Sequence, residues 1–128
     1  MKKSSLGLQK NLANNIVLID GLSRSGKSVF SNIISSFQDF EQIYMYTLLE
    51  HIVPAMSLGK IDIDFARSSL RTLMNELVYE KLISRNVNFR PTDQTSALNY
   101  HDPNLYKKRL KRKDDYNVIE ELNLKKRF

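Results

Sequence analysis

The sequence predicts an α/β fold built on a short parallel sheet, and three observations predict it. Ile16-Val17-Leu18-Ile19 is a short apolar run, mostly β-branched, of the length and composition of a strand buried on both faces. A glycine-bearing loop follows at Gly21–Gly26. From Lys27 to Phe37 the apolar residues Val29, Phe30, Ile33, Ile34 and Phe37 recur at spacings of three and four, which marks one face of a helix.

The later elements are read in order. Phe40–Tyr46 reads as a second strand, followed by a short helix ending before Pro54, and Gly59 marks a break. The clearest helix runs from Asp64 to Ile83, with Phe65/Ala66, Leu70, Leu73/Met74, Leu77/Val78 and Leu82 facing inward. Asp62 or Asp64 caps its start by accepting from free backbone N–H groups. Asn86–Arg90 reads as a third short strand stopped by Pro91. Residues 91–104 read as a polar loop, and Leu105–Lys113 as a basic helix. Residues 1–14 read as a flexible leader and 15–128 as one nucleotide-binding domain.

Composition sets the boundaries of function. The chain has 128 residues, which allows one domain, and its 41% hydrophobic content is enough for a core. There are no cysteines, so disulfides and thiolate metal sites are excluded, and the two histidines are too far apart to share a metal. No stretch approaches the roughly 18 apolar residues of a membrane span. The basic Met1-Lys2-Lys3 start is not followed by a signal-like apolar run, so a cytoplasmic location is expected. The formal charge of +6 suits anionic ligands.

Gly21-Leu22-Ser23-Arg24-Ser25-Gly26-Lys27-Ser28 matches G-x-x-x-x-G-K-[ST] at every fixed position. Gly21 lets the backbone turn sharply out of the strand. Gly26 lets phosphate oxygens approach main-chain amides, because it has no Cβ. Those amides form a concave nest that faces the positive end of the following helix. Lys27 brings a full charge to the terminal phosphate and stabilises charge during transfer. Ser28 offers a hydroxyl to Mg²⁺ where a metal is used. Arg24 either grips phosphate bidentately or points to solvent.

The segment IVLIDGLSRSGKS resembles the opening strand and phosphate loop of the P-loop nucleoside triphosphate hydrolase superfamily, in its kinase and sulfotransferase branches. The SRSGKS core is similar to the 5′-phosphosulfate loop of bacterial sulfotransferase-like proteins, which often carry a GRSGTS-type sequence. RNVNFRPTDQTS adds a weaker similarity. The resemblance covers about residues 15–37. It implies a three-layer P-loop fold and a group transferase. The donor would be 3′-phosphoadenosine 5′-phosphosulfate, with sulfuryl transfer to a hydroxyl of a small-molecule or carbohydrate acceptor. The alternatives are an ATP/Mg²⁺-dependent small-molecule kinase and a non-catalytic nucleotide-binding remnant.

Two departures accompany the resemblance. Lys27-Ser28 stand where sulfotransferase loops usually carry threonine or serine, which favours a triphosphate. Yet neither Ile61-Asp62-Ile63-Asp64 nor Val118-Ile119-Glu120 makes a buried strand ending in a Mg²⁺-binding carboxylate. Such folds use about five parallel strands and this sequence offers two or three, so an incomplete sheet is expected, in an N-terminal part of a longer protein or a shortened one.

Outside the loop, Arg90 and Asp93 follow the third expected strand, where Asp93 would serve as a general base on an acceptor hydroxyl or else sit in a capped polar loop. His51 reads as a packed histidine, His101 as a turn residue, and Arg67 and Arg71 as surface charges. The run 107–113 holds six basic residues in seven and reads as an anion clamp, for the nucleotide's 3′-phosphate, a sulfated or phosphorylated acceptor or a nucleic acid, or else as a solvated helix face. No aromatics interleave with it to stack single-stranded bases, so nucleic acid is not among the expected partners.

Overall fold

The computed structural model describes residues 6–7, 10–12, 14–43 and 47–112, and its regular structure is helical. Helix α1 spans Lys27–Ser35, α2 Thr47–Ser57, α3 Ile63–Leu82 and α4 Pro103–Leu110, with one 3-10 turn at Ala97–Asn99. No strand or sheet forms among the described residues; Phe40 makes only an isolated bridge.

The α/β expectation is therefore corrected. A strand needs a neighbour to take its N–H and C=O groups and a layer to cover its side chains. Residues 16–19 have neither: Ile16 and Val17 are each 45% exposed and Leu18 is 77% exposed. Apart from the bridge at Phe40, Phe40–Ile43 and Asn86–Arg90 also run as irregular chain and turn, so among the described residues no two segments pair as strands. Residues 44–46 of the second expected strand lie outside the described residues, as does the 113–128 segment with Val118-Ile119-Glu120.

The helices follow local chemistry. Asp62 caps α3, its Oδ1 accepting from Phe65 N at 2.7 Å, while Asp64 accepts from Leu6 N at 2.7 Å. Helix α2 runs through Pro54, beyond its expected end, despite the backbone hydrogen bond a proline removes. A well-formed terminus compensates. Gly59 takes the left-handed conformation (φ 66°), with Lys60 N donating to Ala55 O at 2.8 Å and Gly59 N to Met56 O at 3.0 Å. The same double bond closes α3 through Arg85 N to Glu80 O and Ser84 N to Lys81 O, with Ser84 at φ 58°. In α4, Pro103 occupies the first turn and Asp102 Oδ1 accepts from Asn104 N and Leu105 N.

Helix α3 is the spine. Ala66, Leu73, Val78 and Leu82 are buried on its inner face, and Leu70, Met74 and Leu77 are half-buried, whereas Phe65 is 49% exposed. Val78 and Leu82 pack with Leu12, Ile43 and Ile83, and Ile52 of α2 is also buried. Asn75, buried within the helix, accepts from Leu12 N and donates to Lys10 O, each at 2.8 Å, so the polar N-terminal segment is tied to α3 at three backbone groups.

The second core is polar at its heart. Ala97, Tyr100 and Tyr106 pack with Val87 and Phe89. Against them, Arg109 donates from both Nη atoms to the two oxygens of Glu41 at 2.7 Å, and the Tyr106 hydroxyl donates to Glu41 at 3.2 Å. Arg109 therefore leaves the basic surface run that the sequence suggested and enters the interior, at 2% exposure. Lys81 is buried beside this pair, its Nζ donating to the Tyr100 hydroxyl at 3.0 Å and lying 4.6 and 5.2 Å from the Tyr100 and Tyr106 ring centres.

Two predictions follow from this cluster. Glu41→Gln strands two buried cations and should lower unfolding free energy by about 3 kcal/mol, read as a fall in urea midpoint. Burial pushes the Lys81 ammonium down from 10.5 to about 8, against the attraction of Glu41 and with the repulsion of Arg109. The unfolded chain then holds more protons than the folded one from about pH 8 upward, so stability rises with pH there. Burial, then the charge of Glu41, raises both Tyr100 and Tyr106, which reverses the trend above about pH 10, where free tyrosine ionises. Melting temperature should climb between about pH 7.5 and 9.5, and Lys81→Met should abolish the climb.

Candidate functional site

The loop that matches the phosphate motif turns out of the irregular segment 14–20 and enters α1 directly. Three features shape it. Gly26 is the N-cap in a left-handed conformation (φ 84°) with no side-chain cap, which aims the chain into the helix and leaves its first amides uncovered. The first helical bond runs from Phe30 N to Gly26 O at 3.1 Å, so helix geometry gives the amides of Lys27, Ser28 and Val29 no acceptor within α1. Arg24 also holds a positive φ of 62°, and Ser25 N donates to Leu22 O at 3.2 Å, so the loop curls back on itself.

Lys27 closes the curl. Its Nζ donates to Gly21 O at 2.8 Å and Leu22 O at 3.4 Å, folding the ammonium across the loop opening. At Gly21 (φ 158°) a Cβ would stand 2.9 Å from Ser25 Oγ, a contact that rotation of the exposed Ser25 hydroxyl can relieve. Asp20 accepts from Gly21 N at 2.7 Å. Counting Lys27 and Arg24 against Asp20, the loop carries a formal charge of +1. Gly21 to Gly26 and Ser28 are exposed and Lys27 is half-buried, so the loop lies at the surface, with the amides of Gly21 and Ser25 already engaged by Asp20 and Leu22.

The other sequence-designated residues do different work. Asp93 accepts from Thr95 N and from Thr95 Oγ1, both at 2.9 Å, inside its own turn. The Thr95 amide, then the Thr95 hydroxyl, hold its carboxyl below the usual range, which makes it a weaker base. Arg90 is exposed and hydrogen-bonds through its backbone N to Asn88 Oδ1. His51 lies exposed on α2 where a packed residue was expected, and His101 is exposed before the α4 cap. Arg67 is exposed and Arg71 half-buried.

Among the described residues no group of three histidine, cysteine, aspartate or glutamate side chains could hold a metal. A cation at Ser28 would arrive with phosphate oxygens as its principal ligands. No helix among the described residues is long and apolar enough to cross a membrane.

The residues that sequence reasoning missed are Glu41, Lys81 and Asn75. Lys81 and Asn75 sit at inward positions of α3, three residues from Val78 on either side, and that spacing is the one signal that marked them.

Comparison of the chain with protein-family models, curated proteins and solved structures gives no match. Lys27→Met would remove the bridge to Gly21 and Leu22 without touching the cores. Amide exchange at Ser25 should accelerate several-fold in that variant, while exchange within α3 stays unchanged.

Proposed function

We propose that the chain binds the phosphate groups of an adenine nucleotide at Gly21–Ser28. The observation that carries this reading is Lys27, whose ammonium reaches across the loop to the carbonyls of Gly21 and Leu22. An arriving phosphate supplies stronger acceptors than those two neutral carbonyls, so the side chain swings onto it while the amides of Lys27, Ser28 and Val29 receive its other oxygens. The match at every fixed motif position supports the same reading.

Phosphate capture is the step shared by sulfuryl transfer, phosphoryl transfer and binding without transfer. We propose sulfuryl transfer from 3′-phosphoadenosine 5′-phosphosulfate to a hydroxyl acceptor as the reaction, on the SRSGKS likeness. In it, Lys27 and the loop amides would stabilise charge on the leaving phosphate. One observation favours the kinase alternative: Ser28 is exposed beside Lys27, where its hydroxyl can join a nucleotide-bound Mg²⁺.

Thermal shift and calorimetry with adenosine 3′,5′-bisphosphate, ATP and Mg-ATP test the proposal. Saturation at about 100 times Kd should stabilise the protein by about 2.7 kcal/mol, and Lys27→Ala should weaken binding at least about tenfold. Stabilisation by the bisphosphate without metal supports the sulfuryl donor; stabilisation by Mg-ATP alone supports the kinase. No shift with any of the three, or equal affinity in Lys27→Ala, overturns the nucleotide reading.

A further inference from the structure

The structure divides the basic run of α4 by direction. Arg109 turns inward to Glu41, while Lys107, Lys108, Lys111 and Arg112 remain exposed. At about 100° per residue these four fall within an arc of about 140°, and 107/111 and 108/112 each stand one turn apart, about 6 Å along the axis. The Lys111 and Arg112 amides donate to Lys108 O and Arg109 O, which continues the turn beyond α4. The α4 sequence PNLYKKRL contains no acid, and Asp102 is engaged at the opposite end as its cap. Among the described residues no carboxylate pairs with any of the four; Lys107 lies 5.9 Å from the Phe89 ring centre.

Like charges one turn apart destabilise a helix. One or two cations are enough to complement its C-terminal dipole. Tyr106 and Arg109 of α4 are buried, and among the described residues the other four cations make no hydrogen bond or ion pair through their side chains, Lys107 alone lying near a ring. We propose that this face binds the phosphate backbone of a nucleic-acid duplex. A duplex presents one charge per about 1.7 Å of its axis, so four cations within about two turns of helix meet several phosphates at once. Tyr106 is buried and no aromatic side chain is exposed within α4, which fits backbone contact and removes base stacking. The expectation against nucleic acid rested on stacking alone, and backbone binding does not use it. An anionic membrane is disfavoured because a surface helix needs a broad apolar face, and α4 exposes Leu110 at 55% while Tyr106 faces the core.

Fluorescence anisotropy with a labelled mixed-sequence duplex of about 20 base pairs tests this at about 50 to 200 mM salt. The logarithm of affinity should fall with the logarithm of salt at a slope of about −3 to −4, as expected for four phosphate contacts. Lys107→Glu with Lys108→Glu should weaken binding at least about tenfold and flatten the slope by about 2. A control pair, Lys60→Glu with Arg67→Glu, changes exposed cations elsewhere and lowers the formal charge equally, from +6 to +2. It should change affinity less than about threefold, and circular dichroism should show both pairs folded. The proposal is overturned if the parent fails to bind duplex at about 50 mM salt. It is also overturned if both pairs lose affinity equally, or if phosphatidylserine vesicles bind under conditions where duplex does not.

Discussion

The arrangement depends on one buried ion pair. Glu41 and Arg109 are 68 positions apart in sequence and meet through two hydrogen bonds of 2.7 Å. A carboxylate and a guanidinium withdrawn from water regain their solvation only with matched geometry and full hydrogen bonding. Here the fork of Arg109 meets both oxygens and Tyr106 adds a third donor, while among the described residues the buried Arg109 Nε finds no hydrogen-bond partner. The contact joins the segment after α1 to the last helix, and it fixes the direction in which α4 presents its remaining cations. Lys81 sharpens the constraint: with one anion and two cations, the cluster carries a surplus positive charge among aromatic rings.

Helices were legible where a local signal sufficed. α3 has a long period and an aspartate cap, and α1 starts at the glycine that precedes Lys27, whereas the end of α2 was misplaced before Pro54, which the helix runs through to Ser57. Strands were not legible, because an apolar run such as Ile16–Ile19 specifies burial without specifying a partner. Its fate depends on segments distant in sequence, and among the described residues none pairs with it. Arg109 escaped notice for a related reason. Its neighbours Lys107, Lys108 and Lys111 make the run look like surface, and only the three-residue offset from Tyr106 places both on the inward face.

The turn at Gly21–Ser28 was the most legible part of the candidate site, since its shape comes from residues within eight positions of one another. Glycine at 26 gives the left-handed turn, and the lysine reaches back across the loop to Gly21 O. The role given to Asp93 was not settled by sequence, because a carboxylate two residues before a threonine serves equally well as a base or as the acceptor of a turn. In the structure it accepts from Thr95.

The setting of α1 bears on how tightly any ligand is held. Val29 is 60% exposed, Phe30 54%, Ile33 49% and Phe37 54%, so the helix behind the loop gains little from burial. Short helices in water are marginal without tertiary support. Ligand affinity is divided by the share of molecules in which the receptive conformation is already assembled. If that share were about one in ten, the observed dissociation constant would be about ten times the intrinsic one. Any contact that covered the outer side of α1 would then tighten the proposed phosphate capture without touching the phosphate.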